Sequence, residues 1–98
     1  MLYKKEIMCY NKTYALKEPA VGQIVVSSKG HDTNRLYVIV AVLGGDFVLC
    51  VDGRYRTIDK PKQKRVKHLR WAGMSEQAAQ EVGNGRLTDA AVRKILQP

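Results

Sequence analysis

The run Leu36-Tyr-Val-Ile-Val-Ala-Val-Leu43 is eight residues long, rich in β-branched side chains and free of charge. In an extended chain successive side chains point to opposite faces. Leu36, Val38, Val40 and Val42 therefore share one face, and Tyr37, Ile39, Ala41 and Leu43 the other. Both faces are apolar, so the run predicts a central strand covered on both sides.

Turn signals divide the chain around this strand. Gln23–Ser28 is a β-type run opened by Gly22 and closed by Gly30, and residues 30–35 form a turn by composition. Gly44-Gly45-Asp46 predicts a hairpin turn, with Phe47–Val51 as the returning strand. Beyond the turn signal Asp52-Gly53, Tyr55–Ile58 reads as a fourth short strand. Lys64–Arg70 reads as a fifth, an edge strand with a charged outer face. Pro61 between them fits an edge or a turn. Five short strands with tight turns predict a small, strongly bent β-barrel over residues 20–71.

Residues 1–19 show no period and end at Pro19, which predicts an arm. After Trp71-Ala72-Gly73 the period becomes helical. Ser75 is placed to cap a helix through Val82 that Gly83-Asn84-Gly85 stops, and Thr88 to cap a second from Asp89 to about Gln97. Asp89 near the start and Arg93 and Lys94 near the end suit the helix dipole. Residues 74–98 are thus expected to be a helical hairpin laid against the barrel or a partner, and the fold class is mainly β with an α tail.

Charge is the second organising feature. Between Arg54 and Arg70 stand eight Lys or Arg residues and one acid, Asp59, whereas the whole chain has a net charge of +8. Nearly all of the excess is therefore local. Ordinary surfaces mix both signs, and a one-signed block predicts a polyanionic partner, of which nucleic acid is the commonest. Arg54, Arg56, Lys60, Lys62, Lys64, Arg65, Lys67 and Arg70 are the candidate RNA-contacting residues. The lysines would act as point charges, while the arginines can also fork onto phosphates or stack on bases. No paired stacking aromatics of the RRM kind stand out, so recognition by shape and backbone is expected. Tyr55, between two arginines, is a candidate either for base stacking or for packing under the edge strand. Trp71 is expected to plug the barrel where it meets the helices. His68 is open to a structural hydrogen bond or a phosphate contact, and His31 reads as a turn residue.

Other function classes find little support. Two Cys and two His scattered over residues 9–68 do not form a metal-ligand pattern. There is no Gly-x-Ser-x-Gly, His-Glu-x-x-His or P-loop motif and no convincing carboxylate pair, so neither an enzyme, a cofactor nor a small-molecule substrate is expected. Cys9 and Cys50 lack a Cys-x-x-Cys partner, and Cys50 sits in the apolar run Val48–Val51, as a reduced cysteine does. Lys4 and Lys5 are not followed by an apolar segment of signal-peptide type, and no stretch approaches the roughly 18 apolar residues needed to span a bilayer. A cytoplasmic protein without a membrane partner is expected, with its oligomeric state left open.

The segment Gly22–Leu69 resembles a KOW domain. The likeness is carried by Gly22-Gln-Ile-Val25, Ser28-Lys-Gly-His-Asp32, Tyr37–Leu43, Val51-Asp-Gly53, Lys60-Pro-Lys62 and Lys67-His-Leu69. It is most similar to the bacterial KOW RNA-binding proteins that resemble the archaeal and eukaryotic large-subunit ribosomal protein fourteen-e. Leu87–Leu96 resembles that group's C-terminus more weakly. The resemblance implies an SH3-like barrel that binds structured RNA, such as ribosomal RNA, and associates with ribosomes. It also places the first turn at one end of the barrel, which adds Lys29 and Arg35 to the candidate RNA-binding residues. Asn34 stands where the family usually has glycine, and asparagine is the residue best able to replace glycine in a left-handed conformation. His31 stands where the family often has arginine. The alternative is a KOW-type protein-interaction module of the transcription machinery.

Overall fold

Two apolar faces on one strand demand two separate covers, and Leu36–Leu43 receives both. In the computed structural model, which describes residues 13–29 and 33–97, this run is one of six antiparallel strands. They are β1 (Tyr14–Ala15), β2 (Gln23–Ser27), β3 (Leu36–Leu43), β4 (Phe47–Val51), β5 (Lys62–Arg65) and β6 (Leu69–Met74), in the sheet order β1-β6-β2-β3-β4-β5. The first twelve residues of the expected arm, Cys9 among them, lie outside the described residues, as do Gly30, His31, Asp32 and Pro98.

On one face of β2–β3, Val25, Tyr37 and Ile39 join Val48, Cys50, Val66 and Leu69 in a core enclosed by the curling sheet itself. On the other face, Ile24, Val26 and Val38 join Val51, Ala72, Ala78 and Val92 in a second core closed by two helices. Register shifts at Ile24/Val25 and Ile39/Ala41 mark where the ladders bend. Only Val42 and Leu43, at the far end of β3, run out into solvent. Among the described residues no ladder joins β5 to β1, so the sheet is open in its hydrogen bonding.

The strand count and two boundaries differ from the sequence expectation, each for a local reason. Tyr55–Ile58 is not a strand, because the Asp52 carboxylate captures the amides of residues 54–56. Lys64–Arg70 is not one edge strand but β5, a 3₁₀ turn at Val66–His68, and the start of β6. Val66 and Leu69 are both buried in the same core. A strand would send residues three apart to opposite faces, whereas a 3₁₀ turn has three residues per turn and returns both to the same side. The turn frees the chain to cross over, so β6 pairs with β2 and β1. Trp71-Ala72-Gly73 lies within β6, and Tyr14–Ala15 from the expected arm completes the sheet against Trp71 and Arg70.

The tail forms α1 (Glu76–Gly83) and α2 (Asp89–Leu96), capped as expected by Ser75 and Thr88, whose hydroxyls accept from the amides of Ala78 and Ala91. Arg86 N–H donates to Glu81 O and Gly85 N–H to Val82 O, a Schellman ending with Gly85 left-handed at φ 68°. Eight-residue helices are too short to persist alone, so their packing must hold them. Two glycines admit that packing. A Cβ on Gly22 would lie 2.7 Å from the Ala79 Cβ, and one on Gly53 would lie 2.6 Å from the Asp89 carbonyl oxygen. Both also have positive φ, 96° and 80°. Asn34, at φ 72°, occupies the left-handed region where the resemblance placed a glycine. Among the described residues no helix is long and apolar enough to cross a membrane.

Gly53→Ala meets both backbone strain and a backbone clash. It is expected to lower unfolding free energy by about 2 kcal/mol or more, read by chemical denaturation. A loss below about 0.5 kcal/mol would show that α2 does not pack on Gly53 as described.

Candidate nucleic-acid interface

The first group of cations gathers around His68. Both the amide and the hydroxyl of Ser28 donate to the His68 carbonyl oxygen, each at 2.9 Å, which clamps the end of β2 onto the 3₁₀ turn. The hairpin end is fixed to the same turn by Val66 N–H donating to Asp46 O at 3.0 Å. The imidazole of His68 is held below its ordinary 6.5 by loss of solvation and then by the charges of Lys29, Lys67, Lys64 and Arg65. Four cations from β2's end, β5 and the turn thus act on one point, and among the described residues every charge that lowers the His68 midpoint is positive. Their sequence separation, from Lys29 to Lys67, is closed by the β2–β6 pairing.

These cations are not equivalent. Lys64 points inward and is 9% exposed, with its ammonium donating to the Ser27 hydroxyl at 2.8 Å. That hydroxyl in turn donates to the Lys29 carbonyl oxygen at 3.0 Å. Lys64 therefore adds to the field from beneath the surface and is unsuited to the direct phosphate contact expected of it. Lys29, Arg65 and Lys67 are exposed, and the Arg65 guanidinium lies 4.9 Å from the Phe47 ring centroid, where the ring holds it.

A second group lines a groove of about 650 Å³ between the 52–56 loop and α2. One oxygen of the Asp52 carboxylate accepts from the amides of Arg54, Tyr55 and Arg56 at 2.9, 3.0 and 2.8 Å. This folds the loop into a tight bend and turns Arg54 and Tyr55 outward. The other oxygen lies 3.9 Å from Arg35, whose guanidinium carbon stands 4.6 Å from the Tyr55 ring centroid. From the opposite wall, Arg93 donates to the Gly53 carbonyl oxygen at 2.7 Å, and Lys94 follows it on the helix. The Asp89 carboxylate accepts from the Ile58 amide at 2.8 Å and ties the far end of the loop.

The remaining predicted residues have other placements. Arg56 is half-buried and closes the bend by accepting from the amides of Asp52 and Gly53. Lys60 is exposed on a turn, and Lys62 lies on the edge strand β5 opposite Cys50. Arg70 spends its guanidinium on Thr13, donating to the hydroxyl at 3.0 Å and the carbonyl at 3.1 Å, and so fixes the arm beside β1. Tyr55 is 74% exposed and packs under no strand. Trp71 does not plug the sheet: it is half-buried on β6 against Tyr14, ring centroids 5.9 Å apart. Arg93 and Lys94 are the residues that sequence reading assigned to the helix dipole alone. Their signal was present as adjacent cations beside an apolar helix stripe. No protein-family model matches the chain, and no curated protein matches it.

Two outcomes follow from the burial and charge of the first group. Lys64→Ala should lower unfolding free energy by about 1–3 kcal/mol through poorer packing and the loss of a charged hydrogen bond. Lys67→Ala, on the surface, should stay within about 0.5 kcal/mol of the parent in the same denaturation assay. Equal effects would contradict the inward placement of Lys64. His68 should titrate below 6.5 in NMR and move upward when a polyanion screens its neighbours. The unfolded chain then takes up this proton first, so the His68 contribution to stability is lost as pH falls from 6.5 through the folded midpoint. A free-protein midpoint at or above 6.5 would contradict the cationic crowding.

Proposed function

We propose that this chain is a non-enzymatic RNA-binding protein built on an SH3-like KOW barrel, docking on structured ribosomal RNA as part of the cytoplasmic translation machinery. The observation that carries the reading is the convergence of Lys29, Arg65 and Lys67 at the surface, with Lys64 beneath, where the Ser28 clamp and the β2–β6 pairing bring the end of β2 onto the turn at His68. Holding like charges together raises the free energy of the folded protein, and a bound polyanion relieves it. The barrel reading is supported by the bent ladders and by Lys64, which reaches from β5 to the Ser27 hydroxyl of β2 across the inner core. The KOW resemblance is supported by Asn34, left-handed at the place where the family turns on glycine. Ribosomal RNA as the target rests on that resemblance.

Salt-dependent ribosome profiles test this. The parent protein should co-migrate with ribosomal subunits in low salt and leave them in high salt. Each phosphate that the protein no longer neutralises reduces the log–log salt slope by roughly 0.7–0.9. Lys29→Gln/Arg65→Gln/Lys67→Gln should therefore flatten the slope for purified ribosomal RNA by about 2–3 and abolish co-migration. Lys64 is left in place so that the fold is not disturbed. A parent protein that stays in the soluble fraction at low salt, or that co-purifies with RNA polymerase instead, sinks the assignment.

A further inference from the structure

The groove beside α2 differs in chemistry from the His68 cluster. The cluster offers charge, whereas the groove adds an aromatic face. Arg35, held beside Asp52, covers the Tyr55 ring at 4.6 Å, yet Tyr55 remains 74% exposed. A ring braced by a cation and open to solvent is a stacking platform for another flat, electron-rich ring. Around it stand Arg54, Arg93 and Lys94 against Asp52, the one carboxylate among the described lining residues, whose oxygens are already engaged. Among the described residues neither Arg54 nor Lys94 is held in an ion pair or side-chain hydrogen bond. Their charges remain available to an anion.

A planar ring joined to an anionic group within one groove is the chemistry of a nucleotide. We propose that this groove takes one unpaired nucleotide of the bound RNA, its base stacked on Tyr55 and its phosphate held by Arg54 and Lys94. The inference rests on the RNA-binding reading and narrows it to RNA with a bulged or looped base beside the docked helix. A nucleotide still within the RNA fits better than a free one. The groove is open and its platform exposed, so it cannot enclose a small ligand, and the His68 cluster supplies the tether. The mode is tolerant of base identity, because every base has a face to stack.

Binding of three probes decides it: a fully paired RNA hairpin, the same hairpin with a one-nucleotide bulge, and free AMP. The parent should bind the bulged hairpin about 10-fold more tightly than the paired one, with AMP far weaker than either. Tyr55→Ala should erase that preference and leave paired-hairpin affinity within about 2-fold, whereas Tyr55→Phe should keep it. Lys94→Gln should weaken the bulged hairpin selectively. Equal binding of the two hairpins by the parent overturns the inference while the RNA-binding reading stands. AMP binding as tight as the bulged hairpin overturns it in favour of a free-nucleotide site. Failure to bind either hairpin at low salt overturns both.

Discussion

The Asp52 carboxylate determines where most of the candidate groove stands. Three successive amides would otherwise have to find partners in a strand or in water, and a single oxygen satisfies them all. Hydrogen bonds to an ionised acceptor are stronger than neutral ones, so this bend prevails over the extended conformation that Tyr55–Ile58 favours locally. The consequences radiate outward. Arg54 and Tyr55 project from the bend, Arg35 is drawn over the ring, and Gly53 is left with its bare Cα facing α2. Replacing that hydrogen by a methyl group would push away the helix that forms the other wall.

The His68 cluster is organised on a different principle. Its cations are assembled by backbone pairing, with no ion pair among the described residues to hold them in place, and the clamp from Ser28 onto the His68 carbonyl sets their spacing. Burying Lys64 beneath this surface is costly unless its ammonium is satisfied. The Ser27 hydroxyl serves that need, and because Ser27 lies on β2, the hydrogen bond also draws the edge strand across the inner core. Curvature of the sheet and charge of its surface are therefore coupled through one side chain.

The fold was largely legible where apolar patterning has a single structural solution. The two-sided run Leu36–Leu43, the Gly44–Asp46 hairpin and the Ser75 and Thr88 caps all lie where their local chemistry places them. The stretch from Tyr55 to Gly73 was less legible, because its outcome depends on partners distant in sequence. A four-residue run with β propensity loses to a carboxylate that lies beside it only as a turn residue. Val66 and Leu69 satisfy neither a strand period nor a helix of useful length, and a single 3₁₀ turn resolves the conflict. The charge block was visible as composition, but its division into an inward lysine, a structural arginine at Arg70 and two outward groups was not. Composition reports how many charges there are; only the path of the backbone determines which share a surface.

Arg93 shows why the helical tail is more than a cover for the second core. Its guanidinium reaches the Gly53 carbonyl oxygen at 2.7 Å, so it anchors the helix to the same bend that Asp52 creates. Its remaining charge faces the groove. Val92, one position earlier, is fully buried, and Lys94, one position later, lines the opening. A helix of 3.6 residues per turn sets successive side chains about 100° apart. Three consecutive residues therefore serve the core, the wall and the charged rim in turn. On the proposed reading, the tail is half of the nucleotide groove, and the His68 cluster, which offers charge alone, does not distinguish an unpaired base from a paired one.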